Sequence, residues 1–163
     1  MSKIRVLVVL ACVLSLLATV AISCQQGKKY GKLYFKEYQP KNADEAAIIN
    51  VLDQYGAVLR SHDIQKFVSL FDKNGTYESS TSANHLPVAS QKCQDLIRDD
   101  FRSFGEFGNW YDPVITVGGD KAVVKVLAES KWFLTDDTFR LVRNGKDWLV
   151  SDVGYTNVRS KAD

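Results

Sequence analysis

The chain has 163 residues with 21 basic and 19 acidic side chains, and its charge is divided by region. Residues 25–43 carry a net charge of +4 and residues 44–163 carry −4, and this acidic part argues against nucleic-acid binding. Of the three cysteines, Cys93 alone lies in the part expected to fold, which excludes an intramolecular disulfide there. That part has roughly 120 residues, enough for one ordinary domain.

The first 23 residues have the pattern of an export signal. Lys3 and Arg5 precede an apolar run over Val6–Ile22, and the segment Ala21–Cys24 resembles a bacterial lipobox. In such a motif the cysteine becomes the lipid-modified first residue of the mature chain. We therefore predict a lipoprotein signal peptide, lipidation at Cys24, and a location in the cell envelope, anchored to the membrane face outside the cytoplasm.

Two alternatives for this leader stay open. The apolar run has 17 residues, near the lower limit for crossing a bilayer, so an uncleaved membrane anchor is compatible with it. An ordinary cleaved signal, with Cys24 incidental, is compatible as well.

Residues 24–43 are predicted to be a tether that is both basic and aromatic. Its lysines favour contact with anionic lipid headgroups, at about 1 kcal/mol each, although a solvated linker has the same composition. Its large side chains either pack on the domain or lie at the membrane interface; they are Tyr30, Leu33, Tyr34, Phe35 and Tyr38.

The stretch Glu45–Ser80 predicts two helices followed by a strand. Asn42 and Glu45 have the spacing of a capping box for the first helix, and Asp63 is a suitable N-cap for the second. The apolar positions of the first helix recur at helical spacing, so we expect them to be buried. They are Ala47, Ile48, Val51, Leu52, Tyr55, Val58 and Leu59.

A turn at Asp72–Gly75 is expected to end the second helix, so that the strand begins at Thr76. The polar run Ser79–Ser90 then predicts a loop, and Ser90 is expected to cap a third helix over Gln91–Phe104.

After Asn109 the apolar period changes to two, which predicts strands. Pro113 indicates an edge or a bulge in the first of them. Thr135-Asp136-Asp137 is expected to be a turn, and Asn144-Gly145 a type I′ hairpin turn. The predicted strands are Trp110–Val117, Lys121–Leu134, Thr138–Arg143 and Lys146–Asn157. Helices on one face of a mostly antiparallel sheet indicate an α+β fold.

This order of elements resembles the cone-shaped family of nuclear transport factor 2, ketosteroid isomerase and the SnoaL-like polyketide cyclases. Two ordered motifs carry the resemblance over about Ala43 to Asn157: Tyr55…Asp63-Ile64…Val68-Ser69-Leu70-Phe71-Asp72…Gly75-Thr76-Tyr77, and Asn144-Gly145-Lys146-Asp147-Trp148-Leu149-Val150. The resemblance implies three N-terminal helices packed on a curved mixed sheet, with a pocket at the open end. We therefore predict one domain at 44–157 and a short tail at 158–163.

The family's isomerases use a tyrosine on the first helix, a carboxylate base on the first strand and a protonated aspartate on a later strand. Tyr55 matches the tyrosine by spacing, whereas the base position falls at Ser79, which lacks the pKa for proton abstraction. Glu78 is adjacent to Ser79 but is expected on the other sheet face. Asp137 matches the second acid by sequence, but we expect it in the hairpin turn.

The remaining candidates to line a pocket are Tyr55, Trp132, Trp148 and Asp152. Each has a plain structural alternative: a buried tyrosine or tryptophan is more often core packing. Strand alternation places Asp152 on the face of Trp148, where its pKa would rise if that face is inward, whereas a bulge would make it a surface acid. His62 and His85 are expected to be solvated, and no metal or cofactor is indicated.

We therefore predict a membrane-tethered, non-catalytic module for a small apolar ligand or a partner protein. The sheet face with Val123, Leu127 and Phe133 suggests a homodimer. The alternative is a SnoaL-type isomerase, lyase or hydrolase that uses Tyr55 and Asp152.

Overall fold

A computed structural model describes residues 30–79, 82–103 and 107–161, and describes the backbone alone for residues 82–84. The compact unit described below begins at Gly31. The predicted signal peptide and Cys24 lie outside the described residues. Within the described ranges, no helix has the length and apolar character needed to cross a bilayer.

Three helices form where the capping residues predict them: α1 at Ala43–Ser61, α2 at Ile64–Ser69 and α3 at Gln91–Ser103. The side chains of Asn42, Asp63 and Ser90 each accept a hydrogen bond from a first-turn amide, at 2.9, 3.1 and 3.2 Å respectively. These side chains satisfy amides that have no partner within the helix. The third helix follows two strands in the chain, so of these three helices α1 and α2 precede the sheet.

The capping-box glutamate of α1 has other partners than the predicted ones. The buried carboxylate of Glu45 accepts from the Lys41 amide at 2.8 Å and from the Tyr38 hydroxyl at 2.9 Å. It therefore fixes the chain that enters α1 instead of closing on the amide of the capping residue. Hydrogen bonding to Lys41 is the main reason that the pKa of Glu45 is lowered.

Six strands form one mixed sheet in the order β2-β1-β6-β5-β4-β3, in which the β1–β6 pair alone is parallel. The strands are β1 at Phe71–Ser79, β2 at Ser82–Pro87, β3 at Phe107–Gly118, β4 at Lys121–Ser130, β5 at Phe133–Asn144 and β6 at Asp147–Ser160. The fold is α+β with a mixed sheet, as predicted. The core lies between the helices and one sheet face, and its fully buried side chains include Ile48, Leu52, Phe67, Val124 and Phe139.

The first strand begins earlier than predicted. Phe71 already pairs with Val150, so the strand includes the segment Asp72–Gly75 that was expected to be a turn. The turn-forming residues occupy a register shift between Phe71 and Thr76, where the Asp72 carboxylate accepts from the Asn74 amide at 3.1 Å. They therefore produce a bulge inside a strand instead of a turn before it.

The predicted loop over residues 79–90 was also wrong in part, because Ser82–Pro87 forms β2 against β1. Glu78 pairs with His85, and Pro87 ends the strand opposite Thr76. An edge strand exposes one side to water, so a polar sequence and a terminal proline are compatible with it.

The prediction for Pro113 is confirmed on both counts. β3 is an edge strand, and its register with β4 shifts between Tyr111 and Val114, which brackets the proline. Asp112 within this shift has a φ of 51°, and its carboxylate accepts from the Lys32 and Leu33 amides.

The segment before α1 packs along this edge from Gly31 onward. Tyr34 forms a bridge with Tyr111, and the buried ring of Phe35 lies 5.4 Å from the ring of Trp110, edge to face. In the described part of the segment, these aromatic side chains therefore pack on the domain, which is one of the two alternatives predicted for them.

The long strand predicted at Lys121–Leu134 was wrong, because β4 ends at Ser130 and β5 begins at Phe133. The Ser130 hydroxyl accepts from the Phe133 amide at 3.1 Å and closes a tight turn over two residues. Thr135, Asp136 and Asp137 therefore lie within β5.

The last hairpin forms where Asn144-Gly145 predicts it. Asn144 pairs with Asp147, and the positive φ of 63° falls on Gly145. The two central residues of the turn are therefore Gly145 and Lys146, and Lys146 has no positive φ, so the hairpin is confirmed but the type I′ geometry is not. β6 continues to Ser160, past the predicted end of the last strand.

Candidate functional site

A cavity of about 90 Å³ lies between α1, α3 and the inner face of the sheet. Its lining combines aromatic rings, small apolar side chains and several acidic groups. The lining residues are Tyr55, Leu59, Tyr77, Asp100, Phe101, Phe107, Ala128, Glu129, Ser130, Thr135, Asp137, Val153 and Tyr155. No lysine, arginine or histidine is among these described lining residues.

Tyr55 enters the cavity from α1, as its place on the apolar stripe predicts. Its side chain is 3% exposed, and its ring lies 5.0 Å from the rings of Phe67 and Phe139, edge to face with the latter. Burial is the main cause that raises the pKa of Tyr55 well above its usual value, and the charge of Asp137 adds to it. The hydroxyl therefore stays protonated and available as a donor.

Asp137 faces the same cavity from β5. Strand alternation puts Thr135, Asp137 and the buried Phe139 on one face, and Asp137 pairs across the sheet with Tyr155. The Thr135 hydroxyl donates to its Oδ1 at 2.7 Å. Burial nevertheless raises the pKa of Asp137 to about 7, with a further contribution from the neighbouring Asp136. The carboxyl group thus changes charge near neutral pH.

Asp100 supplies a second carboxylate from α3. It is 2% exposed, and its Oδ2 accepts from the Tyr77 hydroxyl at 3.2 Å and from the Tyr155 hydroxyl at 3.4 Å. Burial is the main cause that raises the pKa values of both tyrosines, so each keeps its proton and donates to the carboxylate. This three-residue network joins α3 to strands β1 and β6.

Glu129 is the third acid at the cavity, and its charge is compensated. Its Oε1 accepts from Lys161 Nζ at 2.8 Å, and its Oε2 accepts from the Tyr111 hydroxyl at 2.6 Å. The other two acids of the described lining, Asp100 and Asp137, lie on the α3 and β5 side.

Asp152 lies outside the cavity, although strand alternation placed it with Trp148. The register between β5 and β6 shifts between Arg140 and Leu141, so the alternation of β6 reverses after Val150. Asp152 accepts from the Thr76 hydroxyl at 2.6 Å, lies 2.7 Å from His85 Nδ1, and pairs with Arg140 at 3.3 Å. The bulge that was left open as an alternative accounts for this position.

Neither predicted tryptophan lines the cavity. Trp132 lies in the turn between β4 and β5, 53% exposed, with Lys131 Nζ 4.6 Å from its ring centroid. Trp148 is buried on β6, and the guanidinium carbon of Arg143 lies 4.7 Å from its ring. Trp132 is exposed because the chain reverses at Ser130, whereas Trp148 belongs to the packing of the core.

The isomerase-type residues are brought together only in part. Asp137 is in the strand and in the cavity with Tyr55, so its expected place in a turn was wrong. Ser79, at the base position, is buried but outside the lining. Glu78 lies 3.9 Å from His85 Nε2, and so belongs to the cluster around Asp152.

The two histidines have different surroundings. His85 is partly exposed and lies in the acidic cluster described above, whereas His62 ends α1 with a φ of 56° and stacks on Phe101 at 5.3 Å. Among the residues that the structure describes, no three histidine, cysteine or acidic side chains are grouped as metal ligands.

Asp100 was missed by sequence analysis although a signal was present. It lies three residues after Ile97 and seven after Cys93, on the buried stripe of an amphipathic helix. An acid at such a position must be satisfied by polar partners, which here are two tyrosines from distant strands.

No protein-family model and no curated protein matches the chain. Solved structures do match. A nuclear transport factor 2-like protein of unknown function from Pseudomonas putida KT2440 has a TM-score of 0.60 at 16% identity, covering 72% of this chain and 89% of that one.

A candidate ketosteroid isomerase from Shewanella frigidimarina has a TM-score of 0.57 at 16% identity, covering 68% of this chain and 94% of that one. A nuclear transport factor 2-like protein of unknown function from Shewanella baltica has a TM-score of 0.55 at 18% identity, with 75% and 98% covered. These likenesses show the fold, which is that of the nuclear transport factor 2-like and ketosteroid isomerase-like proteins.

Proposed function

We propose that the protein is a membrane-tethered, non-catalytic module that binds a small ligand in the cavity between the helices and the sheet. The observation that carries this proposal is the composition of the cavity wall. Aromatic and aliphatic side chains surround a few polar groups held in fixed positions by their own hydrogen bonds, which is the usual construction of a small-molecule site.

Binding is favoured over catalysis because the position of the isomerase base holds no carboxylate. Tyr55 keeps its proton, and Ser79 at the base position is neither acidic nor part of the lining. Within the described lining, the carboxylate of Asp100 already accepts two tyrosine hydroxyls. A base that is engaged in this way needs those bonds rearranged before it can take a proton from a substrate.

The proposal predicts that the full chain, extracted from its own host in a mild detergent, carries a small molecule in native mass spectrometry. A matched pair of variants locates it. Ala128→Phe fills the cavity and is expected to remove the extra mass, whereas Val114→Phe changes an exposed side chain on the neighbouring strand and is expected to keep it.

Detection of the protein mass alone, with no added mass under the mildest ionisation conditions, would count against a ligand-binding role. The same spectra report the ratio of monomer to dimer, which tests the homodimer expected from the sheet face with Val123 and Leu127. Phe133 does not share that face, because it begins β5 and alternates with Thr135 and Asp137 toward the cavity side.

The tether is proposed to be a lipid on Cys24, which places the module at the cell envelope outside the cytoplasm. Its support is the lipobox-like sequence and the excess of lysine that follows it. We expect Cys24→Ala to move the processed protein from the membrane to the soluble fraction, since one basic segment alone binds membranes weakly. A Cys93→Ala variant, which changes a cysteine buried in the fold, is the control. Processed Cys24→Ala protein that stays in the membrane fraction would contradict lipidation.

A further inference from the structure

We propose that one end of the sheet, which we call the Trp132 end, docks on an anionic lipid surface. The Trp132 end consists of the two turn residues Lys131 and Trp132, the start of β3 at Phe107 and the end of β6 at residues 158–160. The inference rests on the lipid tether of the proposed function and adds which part of the domain faces the bilayer.

The first argument is the position of the exposed apolar side chains. Trp132 is 53% exposed and Val158 is 51% exposed. Both belong to the same end, because the Lys161 amide donates to the Trp132 carbonyl at 2.9 Å and Ser160 pairs with Phe133 directly after the turn. At the opposite end, with the β3–β4 and β5–β6 turns, no described large apolar side chain is comparably exposed. Tryptophan is a side chain that prefers the boundary between lipid and water, so this asymmetry indicates which end meets a membrane.

The second argument is charge. Lys131 Nζ lies 4.6 Å from the ring centroid of Trp132, and the guanidinium carbon of Arg60, at the end of α1, lies 5.6 Å from that of Phe107. Phe107 pairs with Ser130, the residue before the turn, so both cations belong to the Trp132 end. Neither cation has a carboxylate partner in the described part of the chain. Basic side chains beside exposed aromatic rings favour the headgroup region of an anionic bilayer.

Two acidic side chains beside the turn are already neutralised by partners. The Glu129 carboxylate accepts from Lys161 Nζ at 2.8 Å, and the Asp136 carboxylate accepts from Arg159 at 3.0 Å. These carboxylates therefore offset their own cations and leave the two cations described above for lipid phosphates.

The third argument is the length of the tether. The compact unit begins at Gly31, seven residues after Cys24, and seven residues span at most about 25 Å when fully extended. Gly31 lies against Tyr111 on β3, which pairs with Leu127 on β4. Ser130 is three residues further along β4, about 10 Å away. A lipid on Cys24 therefore keeps the domain close to the bilayer and leaves enough chain for the Trp132 end to touch it.

The cavity adjoins the same end of the sheet. Phe107 and Ser130 belong both to the cavity lining and to the ladder beside the turn. Docking of the Trp132 end therefore brings this part of the cavity wall next to the lipid, in which apolar molecules are dissolved.

Vesicles with brominated acyl chains test the docking, because bromine quenches tryptophans that lie at or within the bilayer. The full chain, extracted from its host, is reconstituted in phosphatidylglycerol and phosphatidylcholine and compared with Trp132→Phe. The difference in emission reports Trp132 alone, since Trp110 and Trp148 are buried in both proteins. We expect brominated vesicles to quench this difference by about half or more, because an interfacial tryptophan lies at headgroup level.

Val114→Trp in the Trp132→Phe background is the matched control. Val114 is 60% exposed and pairs with Lys125, five residues before Ser130, so a ring there is exposed but lies away from the Trp132 end. We expect no quenching of this tryptophan. Equal quenching at positions 132 and 114 would overturn docking through a defined end.

A second pair of variants tests the charge. Lys131→Gln is expected to lower the ratio of docked to undocked protein, read from the quenching, about fivefold. Lys121→Gln removes an exposed lysine at the other end of β4 and is expected to leave the ratio unchanged. Equal effects of the two substitutions would overturn the proposed orientation.

Flotation of the same vesicles separates docking from tethering. Protein that floats with the vesicles but shows no quenching at Trp132 would overturn the docking and leave the lipid tether in place. Protein that does not float would overturn both, whereas the native mass of the chain decides ligand binding separately.

A second copy of the chain is the competing cover for Trp132. In the processed Cys24→Ala chain without vesicles, we expect acrylamide to quench the emission of Trp132, because its ring is exposed in the single chain. Protection from acrylamide there would show that another copy covers the ring, and would overturn docking on lipid.

Discussion

Replacing Asp137 by Asn is expected to stabilise the folded protein at pH 8 by on the order of 3 kcal/mol and to change little at pH 4. The pKa of Asp137 is raised from its usual 3.8 to about 7, mainly by burial. A difference of one unit corresponds to about 1.4 kcal/mol, and contact with water through the open side of the cavity reduces the total. Asparagine keeps the oxygen that accepts from Thr135 but carries no charge to bury.

The direction of the effect follows from which state binds the proton. Between pH 4 and pH 7 the unfolded chain has lost the proton of Asp137 and the folded chain retains it. The contribution of this group to stability is therefore present at pH 4, decreases as the pH rises to about 7, and is constant above that.

Urea unfolding of wild type and Asp137→Asn at pH 4, 6 and 8 measures the effect. Phosphate and acetate buffers cover this pH range. Asp136→Asn serves as the matched variant: its carboxylate is bonded to Arg159 at 3.0 Å, and its charge contributes less than burial to the raised pKa of Asp137, so its removal should stabilise the protein at pH 8 far less than Asp137→Asn does. A variant at position 137 that is no more stable than wild type at pH 8 would show that Asp137 titrates normally.

The helices were predictable because their caps and periodicity agree. Asn42, Asp63 and Ser90 each cap the helix that they were expected to cap, and Tyr55 reaches the cavity as part of the apolar stripe of α1. These signals depend on residues three or four apart, so one sequence contains them completely.

The sheet was harder to predict, because turn-forming residues were assigned to turns wherever they occurred. Asp72–Gly75 and Thr135–Asp137 both lie within strands, the first at a bulge and the second after a turn that the Ser130 hydroxyl closes. Which of several polar segments reverses the chain is decided by pairing between distant strands, and local composition does not report that pairing.

The prediction of the candidate site was the part most affected by errors in strand register. Moving Thr135–Asp137 from a turn into β5 brings Asp137 into the cavity, and one bulge in β6 takes Asp152 out of it. A shift of one residue turns every later side chain of a strand to the opposite face. Finding Asp100 did not require knowledge of strand register, because an acidic residue on the buried stripe of α3 is itself the signal.

Phe139→Ala is expected to destabilise the protein by about 3–5 kcal/mol, the usual cost of deleting a fully buried phenylalanine side chain. Phe139 is 0% exposed, and its ring lies edge to face against Tyr55 at 5.0 Å and against Trp110 at 5.4 Å. Loss of this ring removes apolar burial and leaves a void under the tyrosine that forms the cavity wall. A loss of this size would lower the melting temperature by roughly 10–20 °C in a domain of this length.

The control for this substitution is Trp132→Ala, which deletes a larger ring near the other end of the same hairpin. Trp132 is 53% exposed, so its removal should cost less than about 1 kcal/mol. Thermal unfolding of the two variants in one buffer makes the comparison, and Phe139→Leu, which refills part of the void, should recover most of the loss. Equal destabilisation by Trp132→Ala and Phe139→Ala would mean that Trp132 is buried against another surface in solution. The sheet would then bury large side chains in a second place besides the face that holds Phe139.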